Sequence, residues 1–193
     1  MKERLKRELM RKTFHMSGVT VPLVYVLFGR ELAILYTSAA LIAFVMLEFV
    51  RTRAHSLFPM VKTADLIAKQ SEKNALAAYV YFCIAAVVSI FFMSRLAVIV
   101  GLTAALASDA VAAVVGVGVG RHQQIKHKKT VEGTSAGFLT SMVVAYLLNC
   151  NFVTVIAVGL VFLTFDLVEL GIDDNFTIPL GMVIIVQVIE AIL

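Results

Sequence analysis

Residues 95 to 121 read RLAVIVGLTAALASDAVAAVVGVGVGR, and this stretch decides the fold. Between Arg95 and Arg121 lie 25 residues that carry one charge, Asp109. A membrane-crossing helix needs roughly 20 mainly apolar residues, within a range of about 17 to 25. Working outward, uncharged runs recur at 13–29, 32–47, 74–94, 133–165 and 175–189. The alternating polar and apolar strands of a membrane barrel do not occur. Of 193 residues, 60% are hydrophobic, 16% are charged and three are proline, and the mean hydropathy is +0.92. Soluble domains carry about 25% charged residues. The composition therefore excludes an ordinary soluble domain and a disordered chain.

The pattern predicts an all-α, polytopic membrane bundle, with residues 1–193 as one integral-membrane catalytic domain. Seven helices are expected, at about 14–29, 32–50, 75–93, 96–118, 134–149, 152–170 and 176–193. Six of the 17 Lys and Arg residues fall in the N-terminal arm, five in 51–74 and four in 121–129, whereas the alternate loops hold only Arg30 and Arg95. Fifteen against two predicts a cytoplasmic N-terminus. The net charge of +4 then reflects loops facing anionic headgroups and calls for no nucleic-acid partner. The arm lacks a small-residue cleavage site and does not read as a secretory signal. Leu5, Leu9, Met10 and Met16 among the charges of 1–16 suggest a cytoplasmic, interfacial amphipathic arm, and 58–73 a second such helix. Cys83 and Cys150 lie at different depths and predict neither a disulfide nor a metal site.

Ionisable residues inside membrane helices are costly and mark functional sites by default. Asp109 interrupts the fourth helix, Glu48 ends the second, and Asp166 and Glu169 sit near the end of the sixth. Asp109, Ala112, Ala113, Gly116 and Gly120 share one helical face, which suits either close helix packing or the approach of a metal or phosphate to the backbone. The following loop, with Lys126, Lys128, Lys129, Thr130, Glu132 and Gly133, precedes a helix rich in small residues. Lysines, a hydroxyl and a helix N-terminus together favour an anion, here a phosphate. At the N-terminus, Arg11, Lys12 and His15 are either interfacial anchors or part of the same face. Asp173, Asp174 and Asn175 supply oxygen ligands of the kind Mg²⁺ prefers, the bland reading being an Asn cap before the last helix. Cationic groups for phosphates beside carboxylates for a divalent ion describe a site for phosphoryl transfer, which needs positioning, charge neutralisation and a base.

Three motifs in order, spanning nearly the whole chain, carry a resemblance: Arg11-Lys12-x-x-His15; Ser108-Asp109-x-x-Ala112-x-x-x-Gly116-x-x-x-Gly120 with Lys129-Thr130-x-Glu132-Gly133; and Asp174-Asn175-x-Thr177-Ile178-Pro179-Leu180. The chain resembles the dolichol kinase, phytol kinase and CTP-dependent diacylglycerol kinase family of membrane enzymes. Ser108 stands where that family usually has Gly. The resemblance implies transfer of the terminal phosphate of CTP, with Mg²⁺, to a lipid alcohol such as a polyprenol; the charge distribution puts the site on the cytoplasmic face, and a compact chain without organelle targeting fits a prokaryotic cell membrane. Under the resemblance, Arg11, Lys12 and Lys129 are expected on phosphates. Gly116, Gly120, Lys126, Lys128, Thr130 and Gly133 are expected around the nucleotide, and Glu132 orients the loop. Asp109 and Asp174 are expected on the metal or as base, with Asn175 as a further ligand. His15, Glu48, Asp166, Glu169 and Thr177 are secondary candidates.

Two other readings remain open in the sequence. Phosphatidate cytidylyltransferases look similar through the same Asp109 and Lys129-to-Gly133 block, but usually carry a later Asp-rich signature near His, Gly and Arg that this chain lacks. A small transporter would also use intramembrane acids, yet the charged motifs gather on one face and no inverted repeat is evident. Oligomeric state and acceptor identity are not set by these residues.

Overall fold

The computed structural model describes residues 2–53, 78–122, 129–168 and 170–193. Among them the apolar runs are helical and no strand occurs. The helices are α1 (Lys2–Met16), α2 (Thr20–Arg53), α3 (Ala78–Phe92), α4 (Arg95–Gly118), α5 (Val131–Leu147), α6 (Phe152–Leu167) and α7 (Asp174–Ile192). The second expected amphipathic segment, 58–73, lies outside the described residues.

The N-terminal arm is helical, as α1. It is joined to α2 through a single 3-10 turn, Ser17–Val19, whose flanking residues Met16 and Thr20 keep right-handed helical dihedrals. Ser17 Oγ donates to the Phe14 carbonyl at 2.6 Å and Thr20 Oγ1 to the Ser17 carbonyl at 2.8 Å. Gly18 lies in this turn without a positive φ, and the arm continues into the first apolar leg. Its polar face, with Arg11, Lys12 and His15, turns inward, while Leu9, Met10 and Phe14 are exposed.

The chain reverses at Gly29, whose φ of 83° is the left-handed region that glycine adopts without steric cost. Thr20 Oγ1 and the Tyr36 hydroxyl are 2.8 Å apart across this break. Sixteen residues of straight helix would hold them about 24 Å apart, at about 1.5 Å per residue. The 43-residue stretch Glu8–Val50 is thus two apolar legs of a hairpin. By length and composition it, α4 and α7 are apolar enough to cross a membrane, and α3 and α6 are shorter apolar helices.

Two arginines fasten the hairpin end. Arg30 donates to the carbonyls of Ile90 at 2.8 Å and Phe91 at 2.5 Å, satisfying the last turn of α3, and Arg95 donates to the Val26 carbonyl at 2.8 Å. Such terminal carbonyls lack partners within their own helix. Ser94, held by Glu190 and Gln187 of α7, caps α4 at the same end through the Ala97 N–H.

Helix α4 is the axis of the bundle, packed against α1, α2, α3, α5 and α7. Its buried residues Val98, Leu102 and Leu106 meet Phe82 and Ile90 of α3, Phe162 of α6, and Met182, Val183 and Val186 of α7. Small residues permit this closeness: a Cβ on Gly101 would lie 2.6 Å from the Val183 backbone nitrogen. The outer surface is the apolar one, with Phe28, Leu35, Ile42, Met46, Phe49, Phe92 and Tyr146 all exposed. Small residues inside and large apolar ones outside are what packing in lipid selects, and a water-soluble monomer does not expose so much apolar surface.

Candidate functional site

From Ala97 to Ser108 nine of the twelve residues of α4 are buried, whereas from Asp109 to Gly118 each is half-buried or exposed. The bundle therefore opens around its axis at Asp109. The register is set at the other end, where Arg95 meets Val26. Lys12 and Asp109 each lie 14 residues from that pairing, about 21 Å along antiparallel helices. That common depth brings Lys12 Nζ onto Asp109 Oδ2. His15 Nε2 is 3.3 Å from the same oxygen, and its ring stands edge-on to Phe82 at 5.9 Å. Lys12 is almost wholly buried, and Arg11 alongside pairs with Glu8. A buried lysine in such surroundings is tolerable only with a counter-charge, which Asp109 supplies.

A second cluster forms where α5, α6 and α7 meet. Lys129 Nζ bridges Asp166 Oδ1 at 2.8 Å and Asp174 Oδ2 at 2.7 Å, and Asp166 also accepts from the Thr134 hydroxyl. Burial alone would lower the Lys129 pKa, but the two carboxylates outweigh it and hold it above the ordinary lysine value. These residues line a cleft of about 200 Å³ together with Phe165, Val168, Ile172 and Asp173. Asp173, not an asparagine, caps α7, accepting from the Asn175 backbone N–H at 2.9 Å and side-chain amide at 2.6 Å. Thr177 belongs to the same capping turn through the Asp173 carbonyl. Asp173, in the turn that leads to Asp174, lies within electrostatic reach of His15.

The glycines expected around the nucleotide lie at a helix crossing. A Cβ on Gly133 would lie 2.6 Å from the Ala112 carbonyl oxygen and 3.1 Å from Gly116 Cα. The Thr130 hydroxyl caps α5 through the Gly133 N–H at 3.2 Å and sits where Cβ atoms on Gly116 and Gly120 would go. Glu132 pairs with His122 Nδ1 at 2.7 Å, beside a backbone bond from Val131 N–H to the His122 carbonyl. That pairing, chiefly the His122 hydrogen bond, draws the Glu132 pKa down to about 2. Lys126, Lys128 and Glu169 lie outside the described residues.

The structure thus unites Arg11, Lys12, His15 and Asp109 in one cluster and Lys129, Asp166 and Asp174 in the next. It leaves Glu48 apart, buried in α2 and accepting from the Tyr79 hydroxyl at 2.9 Å. Of the expected metal set, Asp109 is held by Lys12 and His15, and the Asn175 amide donates to Asp173. Asp174 shares the Lys129 ammonium with Asp166. These two carboxylates converge on one positive charge, the Lys129 ammonium, and so suit Mg²⁺, which typically takes one or two carboxylates and fills its shell with phosphates and water. Among the described residues no three His, Cys, Asp or Glu side chains form a metal cage. Sequence reasoning missed Thr134, His122 and the capping role of Asp173. Only the last had a local signal, an Asp two residues before an Asn at a helix start.

The fold and site define a helical, membrane-type bundle with a charged centre at one end. The chain is 25% identical over 186 residues to an uncharacterized protein, MJ1137, of Methanocaldococcus jannaschii, an alignment covering 94% of this chain and 93% of that one. No protein-family profile matches the chain. No solved structure matches it.

Proposed function

We propose that this chain is a membrane lipid kinase that transfers the terminal phosphate of a nucleoside triphosphate, CTP by its family resemblance, to a lipid alcohol of polyprenol, phytol or diacylglycerol type. The observation that carries the proposal is the pairing of two lysine–aspartate clusters, Lys12–Asp109 and Lys129–Asp166–Asp174, where the axial helix becomes uncovered. In this reading seven segments cross the membrane, the N-terminus is cytoplasmic and the site faces the cytoplasm. In support, the two arginines of the opposite end are both bound to helix carbonyls and act as structural staples.

Lys12, Arg11 and Lys129 neutralise phosphate charge, which is the main demand of phosphoryl transfer. Asp166 and Asp174 would hold Mg²⁺, which supplies further neutralisation of the transferred group when bound. An alcohol with an apolar tail reaches the depth of Asp109 from the bilayer, while the nucleotide comes from the aqueous side.

The test is transfer of label from γ-labelled CTP, then ATP, to a panel of polyprenols, phytol and diacylglycerol in detergent micelles with Mg²⁺. Labelled lipid phosphate with nucleoside diphosphate as co-product is expected, and Lys129→Met should abolish most of it. Label entering lipid only from α-labelled CTP, with pyrophosphate released, would make the chain a CDP-lipid synthase. No transfer in either arm would refute both enzyme readings and favour a transporter.

A further inference from the structure

We propose that His15 is the general base of the reaction and that Asp109 is the positioning residue that sets its tautomer, an inference that rests on the kinase reading above. His15 Nε2 faces the Asp109 carboxylate at 3.3 Å, and Phe82 fixes the ring plane at 72° to its own. A carboxylate at Nε2 favours the proton on that nitrogen and leaves the Nδ1 lone pair as acceptor. Among the described residues none hydrogen-bonds to Nδ1. Phe82 is itself seated by Gly18, where a Cβ would come within 2.9 Å of its ring.

Among the described residues the charged groups around the ring are Asp109 from α4, Lys12 and Arg11 from α1, and Asp173 from the turn before α7, and Phe82 of α3 stands edge-on to it. Lys12 already balances Asp109, so that carboxylate does not compel a resting imidazolium, yet it remains in place to stabilise one when it forms. Asp109 itself is the poorer proton acceptor, because its Oδ2 is engaged by the Lys12 ammonium. This is the division of labour of a base that faces a carboxylate.

In the step, the hydroxyl proton of the lipid alcohol passes to His15 Nδ1 as its oxygen forms a bond to the γ-phosphorus. The bond from that phosphorus to the bridging oxygen breaks, and the electron pair leaves on the nucleoside diphosphate. The imidazolium then returns its proton to water. A general base contributes roughly 10²–10⁴-fold in rate.

The test begins with His15→Ala in micelles, assayed with the acceptor found for wild type. We expect kcat to fall by about 10²–10⁴-fold with the nucleotide KM unchanged, and added imidazole to restore turnover. Near-normal kcat, or a loss that imidazole does not repair, would overturn the assignment. Because His15→Ala can also disturb packing, ring ¹⁵N spectra of wild type, with His15 identified by difference from His15→Gln, give a second readout. A neutral Nε2–H tautomer is expected, and it should be lost in Asp109→Asn. An Nδ1–H tautomer in wild type would overturn the dyad whatever the substrate. If wild type moves no phosphate to any alcohol, the kinase reading fails and the base role falls with it. A failure confined to the His15 variants removes the dyad alone.

Discussion

Replacing Asp109 by Asn should destabilise the protein more than replacing Lys12 by Met, although each change breaks the same ion pair. The Lys12 side chain is 5% exposed and that of Asp109 28%. Asp109→Asn strands a buried ammonium and removes the anion facing His15. Removing one partner of a buried pair costs about 3–5 kcal/mol. Lys12→Met leaves a partly hydrated carboxylate that still has His15 beside it, which places its cost near that of one unsatisfied group, about 1–3 kcal/mol. Unit charges about 4 Å apart attract by about 4 kcal/mol at an effective dielectric of about 20, of which desolvation returns a part. The double variant Lys12→Met/Asp109→Asn should therefore cost less than the sum of the two, with a coupling of about 2 kcal/mol, inside the usual range for residues in contact. Unfolding of the four proteins in mixed micelles, followed by circular dichroism against denaturing detergent, measures the cycle. Additive single costs, or Lys12→Met as the more damaging change, would refute the reasoning.

Two further outcomes follow from the α4–α5 crossing and the loop beside it. Gly133→Ala should cost about 1–3 kcal/mol, as overpacking does, because the added methyl meets backbone at 2.6 Å. Gly116→Ala should cost less and be relieved by Thr130→Ala, since its near contact is the Thr130 hydroxyl at 2.9 Å; equal costs in the same unfolding assay would contradict this. For pH, Glu132 is held below its ordinary value of 4.5, at about 2, so the contribution of its pairing is complete above 4.5 and lost as pH falls through about 2. The raised Lys129 works the other way: its contribution is complete below 10.5 and is lost only as pH rises beyond that. Exchange protection of the Val131 amide, which donates to the His122 carbonyl, should decline on acidification only below pH 4.5, and a decline beginning well above it would refute the assignment to Glu132.

Helical content was legible because uncharged runs of this length allow little else, and the turn near Gly29 was bracketed by the gap between two such runs. The acids were legible as site residues because burial in an apolar helix demands a reason. Their partners were not. Lys12 and Asp109 are 97 positions apart, and only the Arg95–Val26 contact reveals that they share a depth. Lys129 beside Asp166 and Asp174 likewise depends on how α5, α6 and α7 converge. The glycines near Asp109 carried two readings in sequence, and the Thr130 cap and Gly133 crossing show their close packing. The continuity of the N-terminal arm with the first leg was hidden by its charges, which describe a surface helix until the inward turn of Arg11, Lys12 and His15 is seen.

The staple between Arg95 and Val26 makes the first leg a ruler. Fourteen residues measured from it deliver Lys12 to Asp109, and an α-helix advances about 1.5 Å and turns about 100° with each residue. One residue inserted between positions 13 and 25 would therefore swing Lys12 off the axis of the bundle while leaving composition, hydropathy and the hairpin intact. Seven inserted residues, close to two whole turns, would restore its direction but carry it about 10 Å past its partner. The chemistry at one end of this bundle is thus calibrated by the length of the segment between Lys12 and Val26. Apart from His15 and Gly18, drift in length there should be far less tolerable than drift in side-chain identity.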